Sequence, residues 1–408
     1  MKNRIYQKFA ILIILVLFTT SSILPVCGEI TSKDKQNFDD IIFNMKMRRY
    51  MKIAHLPSLV ACVINNDSVV WSKAYGYSDV HIRKRATLDS IYLIGSISKT
   101  ITTMALMQLY EKGYFDLDDN ISKFLPFDIK NPNYPNENIT FRMILSHQSS
   151  LGDTYTYLIH FLPLKDDRCQ WIKDRLIPGQ EEYRKNYWGD YPPGKNFSYS
   201  NMGFIIAALL VEKISGMNFE EYCQKNIFDP LDMKSTSFNK DGLKKTNIAR
   251  PYFYLGIYIP FFNYETKCAD ACGGIRTTVE DLSHFLIVHM NKGVWNGVRL
   301  LNESTIDLMH SVQYQNSGTS SSFYGRSTQY GLAWARINLS GDMWEGYLGG
   351  AFGYICHMLI HDSTNTGIIV LSNGHFSRLA LGMISQLSVK NVLDCYTDIA
   401  YLLLEKAN

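Results

Sequence analysis

The sequence predicts an α+β fold in which strands from both ends of the chain build one sheet and a mostly helical stretch is inserted between them. Three observations carry this. Near the start, Ser58–Ile64 and Ser68–Tyr75 read as strands, and Asn65-Asn66-Asp67 between them supplies hairpin turn chemistry. From Ser96 to about Ser311 the apolar residues recur with helical spacing. From Gln329 on, β-rich runs at Tyr330–Asn338, Tyr354–His361 and Thr366–Ser372 precede two helical patterns, about Arg378–Ser388 and Val392–Glu405.

Taken in order, Phe38–Tyr50 reads as an amphipathic helix ahead of the hairpin. The apolar run Ile91-Tyr92-Leu93-Ile94 ends at Gly95-Ser96, where a buried helix begins with Ile97, Ile101, Met104 and Leu109 and stops at Gly113. Further helices are predicted at Phe141–Ser146, Met202–Ser215, Asn218–Asn226, Val279–Asn291 and Glu303–Ser311. The sheet part then covers about residues 36–95 and 326–408, and the helical part about 96–325. Two aromatic clusters, Tyr183/Tyr187/Trp188/Tyr191 and Tyr252–Tyr264, read first as core or loop anchors. The alternatives are that they wall an apolar acyl pocket or, last in order, that Leu255–Phe262 forms a membrane-contacting lip.

With 408 residues and 46% hydrophobic composition, the chain can bury a sizeable core as one large domain or two intertwined parts. A net charge of +3, with no basic block, argues against a nucleic-acid partner. Lys2, Arg4 and Lys8, the apolar run Phe9–Phe18 and Val26-Cys27-Gly28 read as a secretory leader over residues 1–28. Residues 29–408 are then a secreted or extracytoplasmic domain. The alternative is an uncleaved N-terminal anchor, the one membrane attachment expected, although the run is about half the ~20 residues a spanning helix needs. Of 8 cysteines, Cys268 and Cys272 form the only close pair. A local disulfide and two thiols both remain open there. No second pair or histidine stands at zinc spacing, so no metal and no cofactor are expected.

The chemistry gathers at two short motifs. Ser96-Ile97-Ser98-Lys99 sits where an apolar strand gives way to a helix, and Tyr199-Ser200-Asn201 follows the Pro192-Pro193-Gly194 turn and opens another helix. Positions i and i+3 share a helix face, which sets the Lys99 amine near the Ser96 hydroxyl. A buried lysine with a depressed pKa can take a serine proton, giving a nucleophile without histidine. S-x-x-K alone is weak, since about one or two copies are expected by chance in such a chain. Ser32-Lys33-Asp34-Lys35 is a second copy, and Tyr134-Pro135-Asn136 and Tyr314-Gln315-Asn316 repeat Y-x-N. Context separates them, because Ser32 lies in a charged stretch that keeps its lysines in water.

Longer stretches carry a family resemblance. "TLDSIYLIGSISKTITTMALMQLYEKGYFDLDDNISKFLP" (Thr87–Pro126) resembles the nucleophile segment of the serine β-lactamase and penicillin-binding-protein superfamily, in its class C-like and esterase branch. "ITFRMILSHQSSL" (Ile139–Leu151) resembles that branch's H-T-S-G-L segment, and Tyr191–Phe238 the segment carrying its Y-x-N. "ACGGIRTTVEDLSHFL", "YGLAW" and Glu345–Gly374 resemble later landmarks in the same order. The resemblance implies the two-part β-lactamase-like fold, an antiparallel sheet from both chain ends flanked by helices, with the serine at the seam. It implies Ser96 as acylated nucleophile, Lys99 as its base partner, Tyr199 as proton relay and Asn201 as an amide offered to substrate. The oxyanion hole would be the backbone N–H groups of Ser96 and Gly350. The expected substrate is a small or peptide-like ester or amide.

The third motif departs from the family. Where K-T-G or H-x-G is usual, the chain reads Tyr347-Leu348-Gly349. Tyrosine donates a hydrogen bond but brings no charge near neutral pH. Acylation is therefore expected, with weak carboxylate recognition unless Arg276 supplies a cation from another strand. An esterase or amidase is favoured over a β-lactamase or a D-alanyl-D-alanine carboxypeptidase, and the rival from another class is a catalytically retired binding scaffold. No G-x-S-x-G elbow occurs, so His147 is read as structural, as the resemblance implies, and not as a triad base.

Overall fold

The computed structural model describes residues 32–152, 167–262, 270–313, 321–323, 326–375 and 386–407. Among these, nine strands form the main sheet: β1 (Ser58–Asn65), β2 (Ser68–Asp79), β3 (Lys84–Arg85), β4 (Ser321–Phe323), β5 (Arg326–Tyr330), β6 (Ala335–Leu339), β7 (Asp342–Ala351), β8 (Tyr354–His361) and β9 (Thr366–Ser372). Their order is β4-β5-β6-β7-β8-β9-β1-β2-β3, and every neighbouring pair is antiparallel. The two chain ends join where β1 meets β9, in register from Val60↔Leu371 to Asn65↔Thr366. β1, β8 and β9 are buried along nearly their whole length. That explains why β1 and β9 read as continuous apolar runs and do not alternate with polar residues.

The described helices include α1 (Ser32–Ile53), α2 (Ser98–Glu111), α3 (Asn201–Ser215), α4 (Val279–Met290) and α5 (Gln386–Leu404). α4 and α5 both pack on β1 and β9, while α2 and α3 pack on each other in the helical part. Among the described residues, those from Met47 on form one compact unit and residues 32–46 belong to another; the site lies wholly in the former. Among the described residues, no single helix is long and apolar enough to cross a membrane.

Three sequence expectations change. Tyr330–Asn338 is not one strand. β5 ends at Tyr330, a turn with Ala333 at φ 53° follows, and β6 begins at Ala335. The turn buries Trp334 and lets the Ala333 N–H donate to the Leu145 carbonyl, a long-range bond that no local pattern encodes. The predicted helix Asn218–Asn226 is two pieces, an α-turn at Phe219–Cys223 and a π-turn at Gln224–Phe228. β7 is a full ten-residue strand that strand patterning passed over, because Gly346, Gly349 and Gly350 are poor strand formers. The leader over 1–28, Cys268, Tyr264 and most of the helix predicted at Arg378–Ser388 lie outside the described residues.

Candidate active site

Ser96 stands at a forced turn. Tyr92 and Leu93 pair with Thr277 and Arg276, and the chain then bends at Gly95, whose φ is 54°. A Cβ on Gly95 would sit 2.8 Å from the Gly350 carbonyl oxygen, so both the conformation and the close approach require glycine. Gly95–Ile97 is a 3₁₀ turn that runs into α2. Side chains three apart eclipse on such a turn, and Lys99 Nζ lies 3.1 Å from Ser96 Oγ. Lys99 is fully buried, and its amine also donates to Asn201 Oδ1 and to the Cys272 carbonyl, each at 2.6 Å. It lies 4.9 Å from the Tyr199 ring centroid and 5.7 Å from that of Phe204.

The second motif divides its work among three residues. Ser200 is the N-cap of α3, and its hydroxyl accepts from the Gly203 N–H at 3.0 Å. The cap fixes the entry angle of a helix that is almost wholly buried and ends at Gly216 in the left-handed conformation. Tyr199, just before the cap, donates its hydroxyl to Ser96 Oγ at 2.7 Å. Asn201, just after it, turns its carbonyl oxygen to Lys99. Ser96, Lys99, Tyr199 and Asn201 are therefore brought together.

β7 closes the site from the sheet side. β6 pairs with it only as far as Gly346, so that edge of residues 347–351 has no β6 partner and packs against the Gly95–Ile97 turn. A Cβ on Gly349 would strike the Ile94 carbonyl. Gly349 is buried, whereas Gly350 is exposed.

Tyr347 is placed differently from its expected substrate contact. It is 1% exposed, and its hydroxyl lies 3.0 Å from His147 Nε2. His147 follows the helix Phe141–Leu145 at φ 60° and is fully buried. Its Nδ1 accepts from the Ser200 N–H at 3.1 Å, and its ring stacks on Tyr199 with centroids 4.5 Å apart. Burial, with the Lys99 charge nearby, holds this imidazole well below its usual range, so it is neutral near pH 7. Arg276, the suggested alternative cation, is fully buried, with its backbone paired to Leu93.

Sequence reasoning missed three contributors. The Cys272 carbonyl is a backbone group, which residue types do not reveal. It sits on the short helix Asp270–Gly273, whose first residue is clamped by Arg168 at 2.8 and 2.9 Å. Arg168 also reaches Glu212 on α3 at 3.3 Å, so one guanidinium ties together the two elements that hold Lys99. The third is the link between His147, Tyr199 and Tyr347, which joins three segments distant in sequence.

An antiparallel sheet joined from both chain ends, with a Ser–Lys–Tyr cluster where the sheet meets the helical part, defines the serine β-lactamase and penicillin-binding-protein class. The chain matches the family described as Beta-lactamase over residues 43–383, and it belongs to that family. It is 26% identical over 351 residues to "Protein flp" of Staphylococcus aureus strain MW2, covering 84% of this chain and 64% of that protein. The chain thus spans less than two thirds of that relative's length. The octameric penicillin-binding protein homologue from Pyrococcus abyssi superimposes with a TM-score of 0.70 at 25% identity, over 82% of this chain and 73% of that one. D-amino acid amidase from Ochrobactrum anthropi shares the fold at 18% identity and a TM-score of 0.70, over 90% of this chain and 100% of that one.

Proposed function

We propose that the protein is a serine hydrolase that forms an acyl-enzyme at Ser96 and acts on a neutral ester or amide of a small or peptide-like substrate. The observation that carries this is the Ser96 hydroxyl held between Lys99 Nζ at 3.1 Å and Tyr199 OH at 2.7 Å. Ser96 Oγ attacks the substrate carbonyl while its proton passes to Lys99. The lysine acts as the neutral amine, with its two N–H groups on Asn201 and the Cys272 carbonyl and its lone pair toward Ser96. Lys99 then passes a proton to Tyr199 as Tyr199 gives up its own. The oxyanion that forms is stabilised by the N–H groups of Ser96 and Gly350. Asn201, its oxygen committed to Lys99, offers its amide N–H to the substrate. Tyr199 returns the proton to the leaving group, and water then adds to the acyl-enzyme by the reverse path, freeing the acid and restoring Ser96. Membership of a family of serine hydrolases supports the reading. The run at Phe9–Phe18 supports delivery outside the cytoplasm.

The preference for a neutral substrate rests on the third motif. Tyr347 brings no cation, and Arg276 is buried. An anionic substrate lacks one charge-assisted hydrogen bond, worth about 1.5–3 kcal/mol, or roughly ten- to a hundredfold in kcat/KM. The test compares kcat/KM for p-nitrophenyl butyrate and a chromogenic cephalosporin. The ester should be turned over better by at least the lower of these factors. A clear preference for the cephalosporin would make the protein a β-lactamase.

A further inference from the structure

We propose that His147 is a positioning residue for catalysis, joining the Tyr199 motif to the β7 strand through Tyr347. This rests on the Ser96 reading above. The tautomer follows from the bonding. Ser200 donates its backbone N–H to Nδ1 at 3.1 Å, so the neutral ring carries its proton on Nε2. That proton is donated to the Tyr347 oxygen at 3.0 Å. The Tyr347 hydroxyl is then an acceptor toward His147, and its own proton is turned away from the ring.

The same imidazole stacks on Tyr199 at 4.5 Å and 27° between planes, beside the phenol that bonds Ser96. Its backbone is pinned as well, since the His147 carbonyl accepts from the Ser198 N–H at 2.7 Å. One rigid ring thus touches the residue before the α3 cap, the cap itself and the strand bearing Gly349 and Gly350. Where the family places a cation in the third motif, this chain fixes a neutral phenol by a buried imidazole. His147 touches none of the reacting atoms, so its effect must pass through Tyr199 and Tyr347.

The test is a double-mutant cycle in the full chain, read as kcat and KM with p-nitrophenyl butyrate and accompanied by thermal melting. His147→Phe keeps a stacking ring but removes both nitrogens. It should lower kcat about tenfold with KM little changed. Tyr347→Phe should do the same, and the double variant should be no slower than either single one. His147→Gln can donate from its Nε2 to Tyr347 and should recover most of kcat. Should His147→Phe fail to fold, Tyr347→Phe and His147→Gln still test the bond. Wild-type kcat in His147→Phe or in Tyr347→Phe, or losses that multiply in the double variant, would overturn the proposal. Ser96→Ala separates the two claims. If it keeps turnover, the Ser96 reading fails; if it abolishes turnover while the losses multiply, only the role of His147 fails.

Discussion

Lys99 is the residue on which the site turns. A buried amine that serves Ser96, Asn201 and a backbone carbonyl at once organises three segments as well as moving a proton. Lys99→Met should therefore remove nearly as much activity as loss of the serine, because members of one proton-transfer unit are non-additive. It should also leave the Cys272 carbonyl without this donor, at a stability cost of about 1–3 kcal/mol. The pair of measurements is kcat with p-nitrophenyl butyrate and the urea midpoint. Activity within tenfold of wild type would shift the base role to Tyr199 alone. The Ser96, Lys99, Tyr199 and Asn201 positions were legible because the motifs state both residue type and spacing. The Cys272 carbonyl was not, since any residue supplies one.

The strand β7 shows where sequence patterning is blind. Its glycines argue against a strand, yet their lack of side chains lets the backbone reach the nucleophile turn. Gly346 adopts φ 151° with the Met358 carbonyl where its Cβ would be, and Gly349 lies against Ile94. Gly349→Ala should push β7 away from Ser96. We expect about 1–3 kcal/mol of destabilisation from overpacking and roughly a hundredfold loss of kcat from a displaced oxyanion donor. Crystallography of the variant together with its kinetics checks both. A wild-type kcat would mean that β7 does not set the oxyanion geometry. The helices α2 and α3 were easier to read, because their apolar spacing and end signals agree with their burial. The turn at Gly331–Trp334 was not, since its reason is a bond to Leu145 far away in sequence.

Across the molecule, two buried histidines set the acid limit. Burial holds both His147 and His289 well below the usual 6.5, helped by Lys99 in one case and His310 in the other. The unfolded chain takes up these protons near 6.5 and the folded one only at much lower pH. The stability they contribute is thus complete above that value and is lost as pH falls toward the folded pKa values. Glu220 acts in the opposite sense, its carboxyl pushed up to about 7 chiefly by burial, with Asp270 adding repulsion. Urea midpoints from pH 8 to pH 5 should fall below about 6.5. The fall should be shallower in His147→Gln and steeper in Glu220→Gln, which removes the opposing term. A flat profile would mean that the histidines are not held neutral by the fold. The joining of the two chain ends into one sheet was legible, because β1 and β9 are both unbroken apolar runs. The one-residue precision of their register was not.

The most direct measurement is covalent labelling with a fluorophosphonate, followed by intact mass and peptide mapping of wild type and Ser96→Ala. Wild type should gain one adduct, on the peptide carrying Ser96. Ser96→Ala should remain unlabelled and inactive while melting like wild type. An adduct on another residue, or turnover that survives in Ser96→Ala, would contradict the assignment of Ser96 as the nucleophile.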